Sequence, residues 1–118
     1  MHDYAQIDLP RMREGGLDGG FWVIYTPQGD LTPQGYEDAL AHAWHRNGVI
    51  DKMLTDHGDD FMPATTADDA VAIVAQGKHV VYKSIENAYP LGMDITRLDG
   101  FYDAGVRMIG LVHMTNNQ

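Results

Sequence analysis

Two ionisable residues stand where apolar runs give out. Glu86 follows the run from His79 to Ile85, and His113 follows the run from Met108 to Val112. In parallel α/β folds ligands bind beyond the carboxyl ends of the strands, so both positions are suited to chemistry. A carboxylate there can ligate or bridge metal ions. An imidazole there can ligate metal or polarise a substrate carbonyl in the transition state. Side-chain alternation groups Glu86 with Val80, Tyr82 and Ser84, and His113 with Ile109 and Leu111. If those faces point into a barrel, the two groups meet at its rim. Taken alone, Glu86 is equally a solvated residue at a strand end, and His113 equally a donor to a neighbouring loop carbonyl.

Other candidates carry less. His42 and His45 are three apart on a helix, a spacing that can hold metal, but no acidic partner joins the pattern and a solvated face fits better. His57 and His79 flank elements as surface or capping residues. His2 and Asp3 are adjacent, so in a strand they would face opposite sides. Gly15-Gly16 and Gly19-Gly20 precede a strand and lack a following Lys-Ser/Thr, so they are no phosphate loop. Trp22, Trp44 and the seven methionines read as core.

Composition narrows the classes. The 118 residues hold 8 basic and 17 acidic side chains, a net charge of −9, which argues against a nucleic-acid partner. No apolar run approaches the roughly 20 residues that cross a bilayer, and no signal peptide is visible. Zero cysteines exclude disulfides, thiolate metal sites and a Cys nucleophile, and leave the compartment open.

The positioning elements alternate between helical periodicity and short apolar runs, the pattern of an α/β sheet. Asp8 caps a short helix that ends at Gly15-Gly16. Phe21–Tyr25 is a strand apolar on both faces, hence expected to be buried on both. Thr32 and Pro33 start a long amphipathic helix, with Tyr36, Leu40, Ala43, Trp44, Ile50 and Leu54 on one side, ending near Asp56–Gly58. Phe61-Met62-Pro63 reads as a linker. Thr66 starts a helix with Asp68 and Asp69 in its first turn, an apolar stripe of Ala70, Val71, Ile73 and Val74, and a stop at Gly77. His79–Ile85 is the second strand. Asp94 caps the last helix, with Ile95, Leu98, Phe101 and Tyr102 facing inward, and Met108–Val112 is the third strand. Helices between strands imply parallel pairing with right-handed crossovers. Three parallel strands leave two raw edges, which proteins normally cover. The expectation is a single partial domain, residues 1–118, carrying about three β/α units of a TIM-type (β/α)8 barrel. A freestanding three-stranded domain is the poorer alternative.

Three segments resemble the renal (membrane) dipeptidase family. Ile7 to Tyr25, containing Leu9-Pro10-Arg11-Met12-Arg13-Glu14-Gly15-Gly16-Leu17-Asp18-Gly19-Gly20-Phe21-Trp22, is similar to its Leu-Arg-x-Gly-Gly-x-x-Gly-Gly-x-Phe-Trp stretch. Ser84-Ile85-Glu86-Asn87-Ala88-Tyr89 resembles its Glu-Gly-Gly-His strand end. Gly105 to Asn116 resembles its Gly-x-Arg-x-x-x-Leu-Thr-His-x-x-Asn strand. The resemblance implies a zinc-dependent (β/α)8 hydrolase that cleaves dipeptides at a binuclear centre. It implies that Glu86 is the carboxylate bridging two zinc ions, and that His113 contacts substrate and helps polarise the tetrahedral intermediate. Asn116 matches a motif position and is assigned loop structure only. Asn87-Ala88-Tyr89 departs from Gly-Gly-His, which alters the surface beside the bridging carboxylate. The family's His-x-Asp metal pair precedes the matched region and is not supplied by His2-Asp3. Its later metal histidines would lie beyond Gln118. The expected partner is a small dipeptide-like substrate, and a homodimer is an assembly this allows. A non-catalytic binding domain on the same barrel is the rival, because fold does not fix function.

Overall fold

The computed structural model describes residues 6–117, so His2 and Asp3 lie outside the described residues. The element order is α1 (Leu9–Gly15), β1 (Gly19–Tyr25), α2 (Pro33–Asp56), β2 (Phe61–Pro63), α3 (Ala67–Val74), β3 (His79–Glu86), α4 (Arg97–Asp103) and β4 (Val106–Gly110), with a single 3₁₀ turn at Tyr89–Leu91. Three helices begin where the sequence marks them. Asp8 accepts from the Arg11 amide at 2.9 Å, and Thr32 accepts from the Gly35 amide at 3.1 Å. Thr66 and Asp69 form a reciprocal capping box at the start of α3. These bonds satisfy amides that a first helical turn leaves without intrahelical partners. The left-handed residue closing α1 is Gly16, at φ 69°.

All strand pairs are parallel, and β3 is central. β1 runs along one side of it, from Gly19↔Val80 to Tyr25↔Glu86. On the other side β2 pairs with its start and β4 with its end, up to Glu86↔Gly110. One face of this sheet is packed by helices. Ile24, Ala43, Ile50, Val81, Ile85 and Phe101 are buried there together. Burying the Val, Ile and Phe side chains among them contributes about 1.5–3 kcal/mol each. On the opposite face α3 lies across the amino-terminal half, with Ala70 and Ile73 against Val80 and Tyr82. The carboxyl-terminal half of that face has no helix over it among the described residues, and Val23, Tyr25 and Met108 are exposed there.

Several expectations are corrected. Phe61–Pro63 is not a linker but a fourth strand: Phe61 is buried, and the extended segment lies against His79–Val81. Pro63 lacks an amide proton, and pairing passes to the Ala64 amide, which donates to the Val81 carbonyl at 2.9 Å. The final strand runs Val106–Gly110, two residues earlier than its apolar run suggests. β3 offers no ladder partner past Glu86, so Leu111 and Val112 leave the sheet at 74% and 54% exposure. β4 also carries an extra residue, because Lys83 pairs with Val106 while Ser84 pairs with Met108.

β1 is buried on one face only. α4 starts at Arg97, not directly after Asp94, which instead accepts from the Thr96 amide at 3.0 Å and from its hydroxyl at 2.6 Å. Of the residues expected to face inward there, Ile95 and Tyr102 are exposed; the Tyr102 ring instead carries the Arg107 guanidinium 4.0 Å from its centroid. Val71 and Val74 are likewise exposed on α3. Trp44 is half-exposed and stacks on Phe101 with centroids 4.5 Å apart. Met93, Met108 and Met114 are exposed, so the methionines are not uniformly core.

Candidate functional site

β3 delivers Glu86 to the carboxyl end of the sheet on the uncovered face, beside Tyr25 at the end of β1. His113 reaches the same place by a different route than alternation provides. Ile109 pairs with Ile85 and packs toward the helix side, whereas Glu86 pairs with Gly110 on the opposite face. Strict alternation through His113 would therefore separate the two groups. The chain leaves β4 after Gly110 and turns, and that turn carries the imidazole across. His113 Nδ1–H donates to Glu86 Oε1 at 2.6 Å, and the ring stands edge-on to Tyr25 with centroids 5.2 Å apart. Both side chains remain partly exposed, at 37% for His113 and 45% for Glu86. Past the ends of β3 and β4 lies a cavity of about 600 Å³ lined by Ala88, Leu91, Met93, Leu111, Asn116 and Asn117, with neither Glu86 nor His113 among its lining residues. That volume is ordinary for a small-molecule site.

The loops at this end are tied together. Asn87 follows Glu86 in the left-handed region at φ 77° and is almost wholly buried. Asn is among the few non-glycine residues that take this conformation readily. Tyr89 is also buried, pushing its phenol up, with the Asp30 charge adding to the effect. Its hydroxyl donates to the Asp30 carbonyl at 2.6 Å and its ring meets Tyr36 edge-on at 5.5 Å. A Cβ at Gly35 would overlap the Asp30 carbonyl, so this close approach requires glycine. Three buried side-chain atoms here, Thr26 Oγ1, the Tyr36 hydroxyl and Asn117 Oδ1, lack a hydrogen-bond partner among the described residues.

A second polar cluster was not anticipated. Lys83 sits three residues before Glu86 and is buried on the helix side. Its ammonium donates to Asn47 Oδ1 at 2.9 Å, Asp51 Oδ1 at 2.5 Å and the Ala104 carbonyl at 2.9 Å. The sequence did hold a signal: Lys83 shares parity with Val81 and Ile85, and Asn47 and Asp51 are four apart on the helix that must cross above. Among the described residues, no other histidine contacts Glu86. His42, His45 and His57 are exposed, and His79 Nδ1 bonds the Leu17 carbonyl at 2.9 Å.

Parallel strands joined by helices, with ionisable groups at their carboxyl ends, define part of a TIM-type α/β barrel. The chain belongs to the membrane dipeptidase family, peptidase family M19, whose sequence profile matches residues 2–118. It is 28% identical over 118 residues to dipeptidase ataJ of Aspergillus terreus, covering 97% of this chain and 29% of that protein. It is 29% identical to dipeptidase tcpJ of Claviceps purpurea, covering 96% of this chain and 28% of the relative. Among solved structures, the probable dipeptidase PvdM from Pseudomonas aeruginosa superposes with a TM-score of 0.85 at 29% identity, over 95% of this chain and 29% of that one. A metallo peptidase from Rhodobacter sphaeroides, liganded with a phosphinate mimic of the dipeptide L-Ala-D-Ala, gives 0.80 at 27% identity, over 93% and 37%. The chain thus spans about 29% of the length of the curated relatives such as ataJ.

Proposed function

We propose that this chain contributes one side of the reaction centre of a metal-dependent dipeptide hydrolase, with Glu86 bridging two zinc ions and His113 contacting substrate. The observation that carries it is the Glu86–His113 contact at the open carboxyl end of the sheet. The names of the relatives, and the dipeptide mimic held by the Rhodobacter sphaeroides protein, support a small dipeptide-like substrate.

The donors here suit zinc in kind, a carboxylate oxygen and an imidazole nitrogen, but fall short in number. Among the described residues no group of three or more potential ligands exists, whereas a catalytic zinc takes about three protein ligands. The remaining ligands lie outside the described residues. When bound, zinc supplies Lewis acidity and lowers the pKa of water.

The role of His113 follows from its own bond. Nδ1–H is held by Glu86, so the neutral ring offers a bare Nε2. With Nδ1 turned to Glu86, Nε2 is the ring atom left to contact a bound substrate.

The test uses the protein at its native length. His113→Ala should lower turnover of dipeptides by about a hundredfold or more, the usual loss for an oxyanion donor, with zinc content near normal. Glu86→Ala should lose both turnover and zinc by elemental analysis. Full activity and full zinc in both variants would overturn the assignment.

A further inference from the structure

We propose that Asn87 is a positioning residue: its buried amide holds the loops that follow β1, β3 and β4 in one register, and so fixes His113 on Glu86. Only its kinetic consequence rests on the function proposed above.

Asn87 Nδ2 donates to the Thr26 carbonyl at 3.2 Å and to Gln28 Oε1 at 3.0 Å, both just past β1. Its Oδ1 accepts from Asn117 Nδ2 at 2.8 Å, and that same nitrogen donates to the Leu111 carbonyl at 2.7 Å. Leu111 and Asn117 flank His113 in the chain, so one amide group holds the segment on both sides of it. Ala88 adds a backbone bond to the Leu111 carbonyl at 3.3 Å. Asn87 is 1% exposed, so its donors and acceptor have no access to bulk water as substitutes. It is bonded covalently to Glu86, so any shift at the knot moves the imidazole relative to the carboxylate. Misplacement by about 1 Å costs on the order of a hundredfold in rate in well-aligned sites.

Hydrogen exchange by mass spectrometry, on the protein at its native length, separates the strands of this idea. Asn87→Gly keeps the left-handed backbone and removes the amide. It should speed exchange about tenfold in segments 26–31 and 111–117 while the strands 19–25 and 79–85 stay protected. Asn117→Ala should loosen 111–117 alone, and Gln28→Ala should loosen 26–31 alone. In the same preparations Asn87→Gly should lower kcat for dipeptides about tenfold with KM within about twofold and zinc retained. Unchanged exchange in 111–117 for Asn87→Gly overturns the proposal. So does a uniform rise across both core strands, which marks general destabilisation. If the unaltered protein turns over no dipeptide, the functional reading fails and the exchange pattern still decides the role of Asn87.

Discussion

Lys83 and Glu86 leave the same strand three residues apart, each joined to a partner by a short polar contact, and end in opposite surroundings. Lys83 points under α2, where its three N–H donors meet three acceptors. Glu86 stands on the uncovered face, and its bond to His113 leaves further lone pairs of the carboxylate open. The first cluster is chemically complete and ties β3 to α2 and to the end of α4. The second is unfinished within the described residues. Completeness marks a structural role, and unspent donor and acceptor capacity is what the function proposed above requires of Glu86.

The largest expected effect tests the buried side of this contrast. Lys83→Ala removes one partner from three acceptors and should cost about 3 kcal/mol of unfolding free energy in urea titration. A loss below about 1 kcal/mol would erase the distinction between the clusters. A third polar arrangement, exposed but closed on itself at a helix start, sharpens it. Thr66→Ala removes the cap of α3 and should cost about 1 kcal/mol.

The capping partner Asp69 adds a pH dependence. Amides of Thr65 and Thr66 donate to its carboxylate, each at 2.8 Å, and hold its pKa below the ordinary value. A depressed folded pKa stabilises above the ordinary carboxylate range. That contribution fades as pH falls through the depressed value, so exchange protection of α3 should be lost first under acid. The smallest effect belongs to the exposed pair. With zinc removed from every sample, Glu86→Ala and His113→Ala should each change stability by less than about 0.5 kcal/mol in the same titration, however much activity they remove. A loss comparable to that of Lys83→Ala would make the pair a structural one.

What was legible in the sequence was local. Asp8, Thr32 and Thr66 announce their helices because a cap acts within three residues of itself. Parallel pairing followed from the helices between strands. Pairing partners did not, because Phe61–Pro63 becomes a strand only when His79–Val81 lies beside it. Exposure of Trp44, Tyr102 and Val71 was misjudged because an apolar residue on a helix is buried only where another layer arrives. At the candidate site, residue types drew attention to Glu86 and His113. The parity used to join them failed on both sides of Gly110: an extra residue shifts β4 before it, and a turn ends the strand after it. The Asn87 knot was invisible in advance, since its partners Gln28 and Asn117 are brought together only by the folded sheet.

One helix lies where the alternation of the chain would not have put it. α3 rests on the same side of the sheet as Glu86 and floors its far end, through Ile73 and Ala70 on Val80 and Tyr82. Along that surface Glu86 is therefore shielded by α3 from the amino-terminal end alone, while the rim and the uncovered half of the face stay open among the described residues.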